Sequence, residues 1–498
     1  MVKTGETKAK KVIKGSAWMF AMSWYSRLLG MATLIVLARC LDKYDFGVIA
    51  GCFVVQGFFA AISNIDSGIY LMRKKNITEE DLDAAWTISV FSKLFIAGVI
   101  FFLSDYLALF MNIPELADAM KAMCLASVFI GLVNPAINIK IKNLDFSKLF
   151  YLDVVTKTIS SSTSIFIAVV YNSYWAVIIA EIVARGLYAG GSYFVSEYKP
   201  KVSFNLLAQW TFTKWLLLKG VAAYVKTATD KIMVSRYYSV PELGVYNFSM
   251  ESSSTALQFL IAPVQRLIYP SLSDYLDNTS LLIDKLNKFI LVLSLIYIPI
   301  VFGGVYLADT IVPVVFGEQW LEVVPIFQLF LIMSIATLLN DILTDVFTLT
   351  GKLKKMFFYE TSVAIVVICS MYAFTYLAFE QFVILRVIVA FCILAALLIV
   401  LRTIIPVSVK SIITICMPAV LSSGFMLTTI YFVDNYQVFG NEILNLIFLI
   451  MLGAVAYLAV ISVMITKLKS RYGEIDFVYK NFYLPVIKML RAKFGYNT

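Results

Sequence analysis

The sequence predicts an all-α polytopic membrane protein with about fourteen transmembrane helices, and three observations lead to this fold class. Of its 498 residues, 60% are hydrophobic and only 15% are charged, and the mean hydropathy is +0.85. Soluble domains average roughly 45–50% apolar and about 25% charged residues. Apolar runs of about 20 residues, the length that crosses a bilayer, recur along the whole chain. No gap between these runs is long enough to hold a soluble domain.

The apolar runs define the predicted spans, and the basic residues between them define the orientation. Most of the 41 Lys and Arg residues lie at one set of run ends, whereas the opposite ends carry only Arg39, Lys43 and Arg236. Because short cytoplasmic loops are enriched in Lys and Arg, both termini are predicted to be cytoplasmic. The fourteen runs lie near residues 14–38, 46–71, 84–109, 119–139, 149–170, 174–195, 215–237, 242–268, 288–308, 323–349, 357–378, 382–402, 409–431 and 442–466.

An internal repeat divides the chain. Residues 37–48 match residues 234–245 with an offset of 197 positions (236 − 39), so that Arg39 pairs with Arg236 and Gly47 with Gly244. Each copy joins one span to the next, and six spans separate the copies, which predicts two parallel six-helix lobes. The predicted divisions are an N-terminal lobe at 1–200, a C-terminal lobe at 201–405, two additional spans at 406–466 and a basic cytoplasmic tail at 467–498.

Composition excludes several classes of function. The chain has no histidine, which rules out histidine-based catalysis and histidine zinc sites. Its six cysteines show no CxxC spacing, and we expect them to be free thiols packed like small hydrophobic residues. We also expect no metal site, no cofactor and no catalytic residues. The net charge of +9 reflects membrane orientation, which predicts no nucleic-acid partner. The basic tail is predicted to be either an interfacial amphipathic segment that contacts anionic membrane lipids or a partly ordered basic tail.

Four short strings, in order along the chain, carry a family resemblance. They are Ala38–Leu41 leading to Phe46-Gly47, Arg73–Leu82 after Gly68, Asp230–Met233, and Val315–Trp320 followed by Pro325. With this set the chain resembles the Wzx-type lipid-linked oligosaccharide flippases, polysaccharide transporters of the MATE-like (MOP) superfamily, over most of residues 10–410.

The resemblance implies a transporter and not an enzyme. Its substrate would be an undecaprenyl-pyrophosphate-linked oligosaccharide, the repeat unit of an O-antigen (lipopolysaccharide), capsule or exopolysaccharide. The protein would move this lipid-linked glycan across the bacterial inner membrane by alternating access. Polysaccharide polymerase machinery would be a further partner.

Charged residues inside the spans are the candidate site, because a mid-bilayer charge costs at least about 2.5–3.5 kcal/mol and must face a cavity or a partner. Cations that line a cavity would suit a pyrophosphate. The Glu181/Arg185, Asp153/Lys157 and Lys226/Asp230 spacings of four residues could instead be structural ion pairs. The predicted substrate-binding residues are Arg27, Lys93, Lys157, Arg185 and Lys226.

Energy coupling is predicted to use a cation gradient, because the chain has no GxxxxGK[ST] loop for ATP. Without histidine, buried carboxylates are the groups that could bind a proton or sodium in one conformation more tightly than in the other. Glu251 leads because it begins a hydroxyl-rich run at mid-span; proton and sodium both remain open. The ion-coupling candidates are Glu251, Asp66, Asp230 and Glu181.

Two other functions compete with this interpretation. A cation-coupled multidrug exporter of the same fold would need a compact acidic site, but the N-terminal spans carry Arg27, Lys93, Lys157 and Arg185. A membrane-embedded polymerase or ligase would be expected to have a long external loop with clustered Arg, His or acids. The longest external loop, about 307–322, has no Lys, Arg or His.

Overall fold

The structure is a computed structural model. It describes residues 3–63, 71, 74, 77–196, 198–203, 221, 224–273, 275–276, 278–436, 438–470 and 472–485, and these residues form helices and their connections, with no strand among them. The chain divides into two compact units. Unit 1 comprises Met1–Phe248 and Ala364–Phe379, and unit 2 comprises Ser249–Val363 and Glu380–Thr498. The lobe boundaries drawn from the sequence stay a prediction.

Where the connecting residues are described throughout, the helices follow one another with short connections. They are α1 (Lys3–Cys40), α2 (Lys43–Ser63), α3 (Glu79–Met111), α4 (Leu116–Gly131), α5 (Ile137–Lys142), α6 (Ser147–Tyr171), α7 (Trp175–Val195), α8 (which includes residues 224–237), α9 (Val240–Ser273), α10 (Thr279–Tyr306), α11 (Ala308–Phe316), a 3₁₀ turn (Glu318–Val323), α12 (Val324–Leu349), α13 (Leu353–Phe374), α14 (Phe379–Arg402), α15 (Val409–Asp434), α16 (Glu442–Leu468), α17 (Gly473–Val478) and a π turn (Tyr479–Tyr483).

The all-α polytopic class is confirmed. Within the described residues, ten helical segments are long and apolar enough to cross a membrane, and they correspond to ten of the fourteen predicted spans. Three further predicted spans overlap α4, α7 and α9, while the run at 215–237 falls partly outside the described residues. The count of fourteen stays a prediction.

Unit 1 is built by packing α3 on α4, α6 on α7, and α1 on α6, with α4 also against α7. The start of α3 is held by a capping box, in which the Thr78 backbone N–H donates to the Asp81 carboxylate at 2.9 Å and the Asp81 N–H donates to Thr78 Oγ1 at 3.3 Å. After α7, the Tyr198 hydroxyl donates to the Asp83 carboxylate. Burial, and then this hydrogen bond to Asp83, raise the pKa of Tyr198 well above its usual value. Tyr198 therefore ties the loop after α7 to the first turn of α3 as a neutral phenol.

The two copies of the repeat begin their second helices in the same way. At the start of α2 the Asp45 N–H donates to Asp42 Oδ1 at 2.8 Å, and the Asp42 N–H donates back to Asp45. At the start of α9 the Ser239 N–H donates to Glu242 Oε2 at 2.7 Å, and the Glu242 N–H donates back to Ser239 Oγ. These residues are equivalent under the repeat offset, so the match found in the sequence has a structural counterpart.

The same two helices cross at the repeat glycines. A Cβ atom built on Gly47 would overlap the carbonyl oxygen of Val240, and one built on Gly244 would overlap the carbonyl oxygen of Lys43. Lys43 and Val240 are themselves equivalent positions in the two copies. The backbones of α2 and α9 therefore touch directly through a reciprocal contact that only glycine admits.

Unit 2 has its own packed centre, in which α10 lies against α12 and α15, and α15 lies against α16. The short helix α17 packs on α10 with Ile475 and Val478 buried. Asn287 of α10 donates to Glu474 Oε1 at 3.3 Å, which fixes the start of α17. The first part of the predicted basic tail is thus docked on unit 2; residues 486–498 lie outside the described residues.

Candidate functional site

A cavity of about 190 Å³ lies among the middle parts of the unit 1 helices. Its charged walls are Lys93 of α3 together with Glu181 and Arg185 of α7. Polar side chains Gln56 of α2 and Ser127 of α4 also line it. A membrane-embedded cavity with two cations and one carboxylate is the kind of polar surface that in-span charges require.

The end of α4 packs closely against the base of the Lys93 side chain, which lines this cavity. A Cβ atom built on Gly131 would lie 3.0 Å from the Cβ of Lys93 and 3.2 Å from the carbonyl oxygen of Ser89. Such a contact is tighter than ordinary van der Waals packing. Because Gly131 at the end of α4 has no side chain, the Lys93 side chain has space to extend past it.

Arg185 and Glu181 form an ion pair one helical turn apart. Arg185 Nη2 lies 2.6 Å and Nε lies 2.7 Å from the same carboxylate oxygen, Oε1 of Glu181. The arginine side chain is 47% exposed, whereas that of Glu181 is 21% exposed. The pair therefore orients the guanidinium and leaves much of it accessible to an anion.

The cavity borders the junction between α2 and α8. Gly57 lines the cavity, and a Cβ atom there would lie 2.5 Å from the hydroxyl of Tyr224. That hydroxyl donates to the Val54 carbonyl oxygen at 2.6 Å. Tyr224 thus anchors α8 on α2 beside the cavity wall.

The other predicted substrate-binding residues do not line this cavity. Arg27 of α1 is half-buried and its Nε donates to Ser23 Oγ at 3.3 Å. Lys157 lies half-buried on α6 and Lys226 on α8. Asp153 accepts from Ser26 Oγ of α1 at 2.8 Å and forms no ion pair with Lys157, although both are described. Their roles stay predictions.

Besides Glu181 in the cavity, two of the predicted ion-coupling residues lie in the described part of the chain, and their environments differ. Asp230 is buried on α8, where its carboxylate accepts from Tyr246 Oη at 2.8 Å and from the Lys231 N–H at 2.9 Å. Glu251 is exposed on α9 and belongs to unit 2, next to the buried Ser252 and Ser253. Asp66 lies outside the described residues. The coupling role of each stays a prediction.

Gln56, Ser127 and Tyr246 are not among the site residues predicted from the sequence. A signal existed for Gln56, which is an uncharged polar residue near the middle of the apolar helix α2. Tyr246 carried no such signal, because tyrosine is common in membrane helices and its partner Asp230 is sixteen residues away on another helix.

Comparisons with known proteins agree with this architecture. A family model described as polysaccharide biosynthesis protein matches residues 36–325. The chain is 24% identical over 337 residues to the lipopolysaccharide biosynthesis protein WzxC of Escherichia coli (strain K12), covering 66% of this chain and 67% of that protein. It is 22% identical over 329 residues to the succinoglycan biosynthesis transport protein ExoT of Rhizobium meliloti (strain 1021), covering 66% of this chain and 67% of that protein.

Among solved structures, the chain is similar to that of a lipid II flippase, MurJ, in an inward closed conformation. The TM-score is 0.72 at 18% identity, and the match covers 92% of this chain and 99% of that one. This similarity shows a shared fold along nearly the whole length of both proteins.

Proposed function

Because the chain belongs to the polysaccharide biosynthesis protein family, we propose that it is a transporter that flips a lipid-linked oligosaccharide across a bacterial membrane. The substrate is an undecaprenyl-pyrophosphate-linked repeat unit of an O-antigen, capsule or exopolysaccharide. The names of its relatives WzxC and ExoT, and the fold it shares with MurJ, support this choice. The reaction is a movement between leaflets, and no covalent bond is made or broken.

The juxtaposition of Lys93 and Arg185 around one membrane cavity carries the proposal. A pyrophosphate is the part of such a substrate that the bilayer rejects most strongly, because burying an uncompensated charge in hydrocarbon is costly. Lysine supplies a point charge and arginine a planar fork of donors, and both suit phosphate oxygens. The Lys93 and Arg185 side chains therefore stabilise the charge of the pyrophosphate while it is inside the membrane.

In the Glu181–Arg185 ion pair, the Glu181 carboxylate competes with the substrate phosphate for the Arg185 guanidinium. When the cavity is empty, Glu181 Oε1 satisfies the guanidinium. An entering phosphate would share or replace that carboxylate, so that the arginine is never left uncompensated. Such an exchange keeps binding weak enough for release, which a transporter needs. Arg27, Lys157 and Lys226 are proposed as further substrate contacts.

The proposal extends to orientation and energy. The protein lies in the inner membrane with both termini in the cytoplasm, as the distribution of Lys and Arg favours. A proton or sodium gradient drives the cycle through Glu251, Asp230, Asp66 or Glu181. Membrane lipids and polysaccharide polymerase machinery are its proposed partners. A multidrug exporter for cations is disfavoured, since two cations line the unit 1 cavity.

The test is the fate of the lipid-linked intermediate in cells. A deletion strain should accumulate an undecaprenyl-pyrophosphate-linked oligosaccharide, identified by mass spectrometry, and the wild-type gene should clear it. Lys93→Ala should leave the intermediate at the level of the deletion strain, whereas Lys93→Arg should clear part of it. Lys121→Ala is the matched control, because Lys121 forms an exposed pair with Asp105 and does not line the cavity. A deletion strain without any accumulated intermediate would refute the proposal.

A further inference from the structure

Two uncharged polar side chains line the unit 1 cavity beside its charged groups. They are Gln56 of α2 and Ser127 of α4, and both belong to the same compact unit as Lys93 and Arg185. The attraction between the two cations and a pyrophosphate leaves Gln56 and Ser127 without a role. A polar side chain at membrane depth needs a partner, because hydrocarbon offers no hydrogen bonds. The hydrogen bonds of these two side chains therefore have to be accounted for.

Ser127 has an unused hydroxyl group. The residue is only 7% exposed, and its hydroxyl makes no hydrogen bond with any residue that the structure describes. The hydroxyl oxygen is nevertheless not fully enclosed by protein, and the cavity is the open space that Ser127 lines. In the neighbouring helix α3, by contrast, the hydroxyls of Thr87, Ser92 and Ser104 donate to carbonyl oxygens of their own helix. Ser127 therefore offers its hydroxyl to whatever occupies the cavity.

Gln56 presents a second set of unused polar groups. It stands near the middle of α2, where residues 53–59 are otherwise apolar side chains and one glycine. The side chain is half-buried, and its amide makes no hydrogen bond within the described part of the chain. An amide carries two N–H donors and one acceptor oxygen. Gln56 and Ser127 thus bring uncharged donors to the cavity from two helices that supply none of its charged groups.

The two cations alone leave much of a pyrophosphate without hydrogen bonds. Arg185 directs Nε and Nη2 to one oxygen of Glu181, at 2.7 Å and 2.6 Å, so Nη1 is the guanidinium nitrogen outside this ion pair. Lys93 adds one ammonium group. Phosphoryl oxygens are strong acceptors that need several donors. Uncharged donors such as a hydroxyl and an amide meet this need without the cost of burying a further charge.

The size of the cavity limits how much of the substrate it encloses. Its volume of about 190 Å³ is below the roughly 300–1,000 Å³ of sites that enclose a drug-sized ligand. A pyrophosphate group is much smaller than such a ligand, whereas a pyrophosphate with its attached oligosaccharide is larger. The cavity therefore suits the pyrophosphate without the glycan or the lipid tail.

We infer that Gln56 and Ser127 are substrate-binding residues and that the unit 1 cavity binds a diphosphate by itself. The Gln56 amide N–H and the Ser127 hydroxyl donate to the pyrophosphate oxygens that Lys93 and Arg185 leave open. These four side chains come from four helices, α2, α4, α3 and α7, so the bound anion links the helices that surround it. The inference rests on the proposed function in one respect, namely that the diphosphate belongs to the flipped lipid-linked substrate.

The experiment measures binding of inorganic pyrophosphate to the purified full-length chain in detergent, by isothermal titration calorimetry. We expect the wild-type chain to bind pyrophosphate. Ser127→Ala and Gln56→Met should each weaken binding about tenfold, the loss of roughly one hydrogen bond to a charged group. Ser127→Thr keeps the hydroxyl and should retain most of the affinity. Ser104→Ala is the matched control, because Ser104 is buried, donates to the Phe101 carbonyl oxygen and does not line the cavity.

Three results would overturn the inference. The first is a wild-type chain that binds no pyrophosphate. The second is wild-type affinity in both Ser127→Ala and Gln56→Met, which is expected if water satisfies these side chains. The third is unchanged binding by Lys93→Ala, which would place the anion on lysines at the protein surface. Gln56→Met still decides the outcome if Ser127→Ala does not fold.

The flipping of lipid-linked substrate is measured separately, and this separates the inference from the proposed function. A wild-type chain that binds pyrophosphate through Gln56 and Ser127 but does not flip the lipid-linked substrate would refute the proposed function and leave the inference standing. Normal flipping together with equal pyrophosphate binding by all variants would refute the inference and leave the proposed function standing.

Discussion

Gly47 and Gly244 meet where α2 crosses α9. The two glycines occupy equivalent positions in the two copies of the repeat. Cβ atoms on these residues would overlap the carbonyl oxygens of Val240 and Lys43, which are also equivalent to each other. A Cβ atom on Gly244 would further lie 2.9 Å from the backbone nitrogen of Gly47. The contact is therefore a local two-fold relationship built mainly from backbone atoms.

The first prediction concerns this crossing. Gly47→Ala and Gly244→Ala should each push α2 from α9 and lower the free energy of unfolding by about 1–3 kcal/mol, the usual cost of overpacking. The measurement is thermal unfolding in detergent. Gly98→Ala is the control, because nothing lies within 4 Å of a Cβ at Gly98 and alanine is the better helix former. Equal melting temperatures for Gly47→Ala and Gly98→Ala would contradict the close contact.

A second prediction tests the path of the Lys93 side chain. Gly131→Ala places a methyl group 3.0 Å from the Cβ of Lys93 and should shift the ammonium group in the unit 1 cavity. We expect the flipping rate to fall about fivefold, equivalent to about 1 kcal/mol, with the protein still present in the membrane. Gly190→Ala has no atom within 4 Å of its new Cβ and should flip normally. Wild-type rates for both variants would show that Lys93 does not need this space.

The Asp230–Tyr246 hydrogen bond gives a third prediction. Tyr246 is fully buried and its hydroxyl donates to Asp230 Oδ2 at 2.8 Å. Tyr246→Phe removes one donor from a buried carboxylate, which should destabilise the protein by about 1–3 kcal/mol. Thermal unfolding measures this loss, with Tyr237→Phe as control because Tyr237 is 48% exposed. An unchanged melting temperature for Tyr246→Phe would mean that Asp230 is held by its other contacts.

Energy coupling supplies the fourth prediction. Glu251→Gln keeps the shape of the side chain and removes its titration and its charge. In proteoliposomes carrying a lipid-linked substrate, this variant should lose stimulation by an imposed proton or sodium gradient while it still binds substrate. Glu318→Gln, another exposed carboxylate of unit 2, should retain stimulation. Full gradient-driven transport by Glu251→Gln would eliminate Glu251 and move the search to Asp66 and Asp230.

Orientation can be checked independently. The distribution of Lys and Arg predicts that Asn435, between α15 and α16, is external and that the loop after Lys142 is cytoplasmic. A cysteine introduced at Asn435 should react with a membrane-impermeant maleimide in intact spheroplasts, in a background without the natural cysteines. A cysteine introduced at Asn143 should react only after the membrane is opened. The reverse pattern would invert the proposed topology.

The fold class was predictable because apolar length and charge asymmetry are properties of single segments. The repeat was also visible, since Gly47 and Gly244 stand in matching strings, and the equivalent capping boxes at Asp42 and Ser239 confirm that the match is structural. Helical periodicity could place Arg185 and Glu181 on one face of α7, and the structure contains that ion pair.

Partners on other helices were not predictable in the same way. Periodicity assigns a residue to a face of its helix but says nothing about which helix lies opposite. Asp153 could therefore be matched with Lys157 on its own helix, whereas its carboxylate accepts from Ser26 of α1. For the same reason the sequence could not group Lys93 with Arg185 in one cavity.

The most direct measurement is flipping by the purified protein in proteoliposomes. A fluorescent undecaprenyl-pyrophosphate-linked oligosaccharide is incorporated, and a membrane-impermeant reductant reports how much of it reaches the outer leaflet. Wild-type protein should transfer the lipid-linked substrate at a rate well above that of protein-free liposomes. Lys93→Ala should reduce that rate at least about tenfold, the loss expected for one charge-assisted contact, and Lys121→Ala should not. A wild-type rate equal to that of empty liposomes, or a normal rate for Lys93→Ala at equal protein content, would contradict a flippase that moves its pyrophosphate through the Lys93–Arg185 cavity.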